Sequence, residues 1–221
     1  MRKRLARFKN VILDILYPRD CVCLFCGKES VLTDKHICTE CKKLLEVPPM
    51  RTVKGLNGVF VGLVYEGNAA ECIKAFKYSG RRENAYPLAE FLQLPEDFAA
   101  DFIVPVPIHW QRRLKRGYNQ CELLADMLSE RCGIPVNRSL LKKCRRTETQ
   151  VRTKPELRHT NLAGSFSASD CKGLTLLLVD DVITTGSTLA ECAKTLRAAG
   201  AKAVYGVCTA SRQIKNSIEK N

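Results

Sequence analysis

The chain has 221 residues, 45% hydrophobic and 27% charged, the balance of an ordinary soluble globular protein of one or two domains. No run of about 18 apolar residues occurs, so no stable membrane insertion is expected, and no apolar stretch of about 7–15 residues follows the basic start to make a secretory signal. Lys and Arg total 36 against 23 acidic residues, a net charge of +13 that favours phosphates, nucleic acid or acidic lipid as partners.

Leu5, Phe8, Ile12 and Ile15 recur at helical spacing beside Arg2, Lys3, Arg4, Arg7 and Lys9, which predicts a basic amphipathic helix over 1–17. Packing against the module that follows explains it better than contact with lipid or nucleic acid. Residues 18–50 hold Cys23, Cys26, Cys38 and Cys41, two C-x-x-C pairs separated by eleven residues. A chain with no export signal belongs in a reducing cytoplasm, where thiols stay free, so the pairs point to a metal and not to disulfides. Two such turns complete a tetrahedron of thiolates around Zn²⁺ and leave no open position, so this zinc is structural. Cys21 could replace Cys23, but Cys23 keeps the two-residue spacing. Gly27, after the first pair, suits a knuckle that needs positive φ. The stretch at 47–49, Val-Pro-Pro, starts a linker.

Residues 51–221 read as a second domain. Apolar, β-branched runs at 59–65, 102–104, 176–179 and 203–210 predict strands. Helices are predicted between them: one capped by Asn68 and carrying Ala70, Ile73 and Phe76, one over 86–92, one with Leu123, Leu124, Met127 and Leu128, and one with Leu189, Cys192, Ala193 and Leu196. The run Leu176–Val179 is wholly apolar, as in a strand covered on both faces. Alternation of this kind is α/β: a doubly wound, mostly parallel sheet.

Ligands in such sheets bind beyond the carboxyl ends of the strands. There the chain reads L-L-L-V-D-D-V-I-T-T-G-S-T, Leu176 to Thr188. The strand delivers Asp180 and Asp181, and Thr184, Thr185, Gly186, Ser187 and Thr188 turn into a helix whose N–H groups and hydroxyls form an anion cradle. Two acids beside a phosphate cradle suit a ribose 5-phosphate. The turn takes the phosphate, and the acids accept the 2′- and 3′-hydroxyls. Between His109 and Arg158 lie 13 basic and 5 acidic side chains. That excess is either a solvated face or a phosphate-facing surface.

These thirteen residues resemble the phosphoribosyl-pyrophosphate (PRPP) signature of type I phosphoribosyltransferases. The wider chain, roughly 17–211, resembles the ComF family of competence proteins. The resemblance also rests on V-G-L-V-Y-E-G (61–67), I-K-A-F-K-Y-S-G (73–80), I-V-P-V-P-I-H (103–109), R-G-Y-N-Q (116–120) and 149–166. It implies a PRPP site with Asp180 and Asp181 as its catalytic acids. It also implies a pyrophosphate loop at 107–117 with Arg112, Arg113, Lys115 and Arg116, a closing loop near 145–158, and Mg²⁺ arriving with PRPP. Gln150, Arg158, Asn161, Lys77 and Tyr78 match family positions. No constellation names an acceptor base.

Three functions stay open. The first is a competence role on cytosolic single-stranded DNA, with competence-machinery proteins as partners. The second is nucleotide salvage, and the third is a non-catalytic PRPP-sensing scaffold. The aromatic residues expected to stack on a single strand are Trp110, Tyr118 and Phe166.

Overall fold

A computed structural model describes residues 22–32, 36–45, 48, 51–144 and 164–212. The helix expected over 1–17, Cys21, the closing loop near 145–158, and the family positions Gln150, Arg158 and Asn161 lie outside the described residues. The chain divides into two compact units, Met1–Leu45 and Glu46–Asn221.

In the first unit, antiparallel bridges join Val22 to Glu29 and Leu32 to Cys38. A short helix, α1 (Thr39–Lys43), follows. Apart from cysteines, the buried residues described here are Phe25 and Ile37. Among the described residues of this unit the apolar core is therefore small.

The second unit is built on four parallel strands: β1 (Gly58–Val64), β2 (Phe102–Pro105), β5 (Thr175–Ile183) and β6 (Ala203–Ser211). Their order is β1-β6-β5-β2. Leu176, Leu177, Leu178 and Val179 are all fully buried, as the continuous apolar run predicts for a central strand with both faces covered. Ile103 also bridges Val136 in parallel, which extends the β2 edge by one rung.

Helices α2 (Gly67–Tyr78) and α3 (Ala85–Ala89) carry the chain from β1 to β2. Helices α4 (Trp110–Arg116) and α5 (Gln120–Cys132) follow β2, and α6 (Ser187–Ala198) joins β5 to β6. Leu189, Cys192, Ala193 and Leu196 of α6 pack with Leu176, Leu178 and Val204 in one core.

Three local expectations change. The residue before α2 is Glu66, with no side-chain cap, and Asn68 lies inside the first turn. The helix over 86–92 stops at Ala89, and Phe91 and Leu92 follow it as buried apolar residues. The 107–117 segment is mostly helix, because His109 Nδ1 accepts from the Gln111 N–H and starts α4. Two three-residue strands, β3 (Leu141–Lys143) and β4 (Phe166–Ala168), pair antiparallel and are too short to show a period in the sequence.

Candidate functional site

The four sulfurs of Cys23, Cys26, Cys38 and Cys41 lie within 4.8 Å of one another. Cys26 and Cys38 are 3.8 Å apart, and tetrahedral ligation with metal–sulfur bonds near 2.3 Å sets sulfurs roughly 3.8 Å apart. Backbone N–H groups aim at the sulfurs: Cys38 donates to Cys23 Sγ at 3.3 Å and Cys41 to Cys38 Sγ at 3.4 Å. Such donors stabilise thiolates. Burial pushes the Cys23 thiol up, but backbone donors from Cys38, Cys26 and Phe25 outweigh it and bring it to about 7. Gly27 has φ of 71°, and its N–H closes the first knuckle on the Cys23 carbonyl at 2.7 Å. The cluster can hold a metal ion.

The second site begins where β5 outruns its neighbour. The last β2–β5 rung joins Pro105 to Val179, and β5 continues against β6 alone to Ile183. Asp180 and Asp181 are the first two residues past that rung, so the fold opens the sheet at the two acids. Lys77, in the last turn of α2, reaches across to Asp181 Oδ1 at 2.9 Å. Both side chains are largely buried, 18% and 11% exposed, so the contact is a desolvated ion pair. Burial pulls the Lys77 ammonium down, but Asp181 and then Asp180 more than offset that and hold it above its ordinary value. Lys77 is therefore neither a free helix-end cation nor a free ligand, because the signature acid holds it.

Asp180 has weaker partners. Its Oδ1 accepts from the Asp181 N–H at 2.9 Å and from the Cys121 thiol at 3.4 Å. Asn119 sets Cys121 there: its side chain caps α5 and donates to the Val106 carbonyl at 3.2 Å, tying the helix start to the end of β2. Burial first, then the charge of Asp181, pushes the Asp180 carboxyl up to about 7. Burial and the two acids likewise hold the Cys121 thiol well above its usual range. It is a donor, not a nucleophile.

Beyond the acids, Thr184, Gly186, Ser187 and Thr188 line a shallow polar depression together with Asp180. Thr185 Oγ1 accepts from the Ser187 N–H at 3.3 Å and pairs with Ser187 Oγ at 3.0 Å. No acceptor among the described residues takes the N–H of Thr185, Thr188 or Leu189. Gly186 has φ of 79°, and a Cβ there would lie 2.9 Å from Val53 Cγ2, so both conformation and space demand glycine. Arg51 donates to the Thr184 carbonyl, and nothing in the sequence marks it. Nothing in the sequence marks Lys143 either. Burial first, then Arg112, lowers its ammonium, and Asp180 partly offsets this, so Lys143 lies within electrostatic reach of the site.

The basic segment is presented as a helix face. Arg113 pairs with Glu122 at 2.8 Å, and Arg116 donates to Gln120 at 3.1 Å. The Arg116 guanidinium also lies over the Tyr78 ring, 4.9 Å from its centre. Tyr78 is 72% exposed and Trp110 61%, whereas Tyr118 and Phe166 are buried and cannot stack on a ligand. Tyr118 packs on Phe76 and donates to its carbonyl. Among the described residues the exposed aromatic rings therefore include Trp110, Tyr78 and Tyr86, and the expectation for Tyr118 and Phe166 is corrected.

Comparison with known proteins agrees with this geometry. Residues 119–219 match the phosphoribosyl transferase domain family. The DNA utilization protein YhgH of Escherichia coli K12 is 32% identical over 209 residues, 85% of this chain and 88% of that protein. Competence protein F of Haemophilus influenzae is 40% identical over 117 residues, 51% of this chain and 49% of its own length. Competence protein ComFC of Bacillus subtilis is 29% identical over 132 residues, 58% of this chain and 48% of that protein. The chain thus spans about half the length of the two competence proteins. No helix among the described residues is long and apolar enough to cross a membrane.

Proposed function

Because this chain belongs to the ComF family, with its phosphoribosyltransferase fold, we propose that it binds PRPP and acts on DNA taken up by the cell. The observation that carries the reading is the junction at the end of β5. Two adjacent acids emerge past the last β2 rung and run straight into a glycine turn that opens α6. The turn suits the 5′-phosphate, and the acids suit the vicinal ribose hydroxyls. Lys77 steadies Asp181 as an acceptor, and the Cys121 thiol and the Asp181 N–H steady Asp180.

In a transfer reaction, the bond from the ribose C1 to pyrophosphate breaks and the sugar gains oxocarbenium character. The two acids would then hold the ribose ring, and cations on α4 and at Lys143 would offset the departing charge. Mg²⁺ would arrive on the pyrophosphate and would neutralise its charge. In the first unit, the sulfur spacing and N–H···S donors favour Zn²⁺ as a closed, structural ion.

The exposed pair Trp110 and Tyr78, with Arg116 over the latter, favours a single strand as the DNA partner, since bases stack on rings and guanidinium planes. Trp110→Ala should weaken single-stranded DNA binding by about 1–3 kcal/mol, with a salt dependence set by phosphate contacts. Fluorescence anisotropy reads it, and unchanged affinity contradicts the DNA assignment. The same samples, supplied with PRPP and each base in turn, should be assayed for pyrophosphate. Release with one base, without DNA binding, would make the protein a salvage enzyme.

A further inference from the structure

Arg51 precedes β1, far in sequence from the signature, yet two further segments converge on it. Its Nη1 donates to Ser211 Oγ at 3.3 Å and to the Arg212 carbonyl at 3.2 Å. Its Nη2 donates to the Thr184 carbonyl, inside the phosphate turn. The Arg212 N–H in turn donates to the Ile183 carbonyl at 2.9 Å, so the fork spans the last join of β5 and β6. Two residues along, Val53 fills the space under Gly186. One short stretch therefore backs the turn twice, with a charged fork on a carbonyl and methyl groups beneath the glycine.

The peptide after Thr184 is trans. In a trans peptide the carbonyl and the following N–H point to opposite sides. A guanidinium on the Thr184 carbonyl therefore turns the Thr185 N–H away from Arg51, and that N–H has no acceptor among the described residues. A carbonyl that accepts from a cation also polarises its own amide, which strengthens the N–H as a donor.

We propose that Arg51 is a positioning residue for the 5′-phosphate: it fixes the Thr184–Thr185 peptide so that the Thr185 N–H serves the bound anion, and it places a positive charge behind the cradle. This rests on the PRPP reading above. It assigns to a residue before the first strand a part of the site that the signature does not contain.

The test is calorimetry on the full chain with two probes, ribose 5-phosphate and magnesium pyrophosphate. Arg51→Met should weaken ribose 5-phosphate by about tenfold, as for loss of a hydrogen bond to a charged group. Pyrophosphate, bound away from the turn, should stay within about twofold. Arg51→Lys, which keeps the charge but not the fork, should fall between. Without ligand, amide exchange at 185–188 should quicken in Arg51→Met while exchange in α5 stays unchanged.

If Arg51→Met binds ribose 5-phosphate like the wild type, or a folded variant loses both probes equally, the inference is overturned. Should Arg51→Met fail to fold, Arg51→Lys decides on the same split. Asp180→Asn in the same titration separates the two claims. Wild-type protein indifferent to ribose 5-phosphate, with Asp180→Asn no different, overturns the PRPP reading and this inference with it. Normal wild-type binding that only Asp180→Asn weakens overturns the inference alone.

Discussion

Asp180 stands where a carboxylate is least stable, among the thiol of Cys121, the charge of Asp181 and the apolar end of β5. Its nearest full cation, Lys77, is committed to Asp181. With its carboxyl pushed up to about 7 against an unfolded value of about 3.9, the folded protein keeps a proton that the unfolded chain has released. Stability from this group is therefore fully present below the unfolded value and is lost as pH rises through the folded one. Asp180→Asn should raise the melting temperature at pH 8 and much less at pH 5, where the wild-type carboxyl is already neutral. An equal gain at both pH values would contradict the burial argument. Ribose binding at the proposed site, where the acid would serve as an acceptor, should strengthen over the same rise in pH. The sequence already singles out the two acids and the turn, because a charged pair after a buried apolar run has few other uses. It cannot show Lys77 closing on Asp181 or Arg51 on Thr184, since those contacts join segments about a hundred residues or more apart: the 73–80 segment marks Lys77 without its partner, and nothing marks Arg51.

Elements that bury a continuous apolar run were legible. The strands at 58–64, 102–105, 175–183 and 203–211 coincide with their predicted cores. Those that lack such a run were not. The strands β3 and β4 are three residues each. The helix expected over 86–92 is found but ends early, at Ala89, and it carries Pro87 in its first turn, where the N–H has no partner to lose. The pyrophosphate-loop segment reads as a polar turn, but the His109 cap converts most of it to helix. Packing between elements also sets constraints that no period reveals. A Cβ at Gly62 of β1 would lie 2.0 Å from the Phe91 carbonyl oxygen, so the strand and the chain after α3 approach backbone to backbone. Gly62→Ala should cost about 3 kcal/mol through overpacking, read as a lower urea midpoint with unchanged slope. A loss below about 0.5 kcal/mol would mean that the segment after α3 yields freely.

At the scale of the whole molecule, two units rest on different physics. The 46–221 unit has an apolar sheet core of its own, whereas the described part of 1–45 buries little besides its cysteines. Removing the metal with a chelator should therefore unfold the first unit and leave the second, because metal binding there is folding free energy. Limited proteolysis should release a fragment from the first unit and spare the sheet. Loss of both together would contradict independent stabilisation. The proposed PRPP site, by contrast, lies at the end of β5, where the acids, the glycine turn and the start of α6 meet. Titration calorimetry of magnesium PRPP into the wild type and into Asp180→Ala/Asp181→Ala tests that most directly. The wild type should bind one equivalent and the folded double variant none. Equal affinity in the two would show that the ligand, if it binds at all, binds somewhere else.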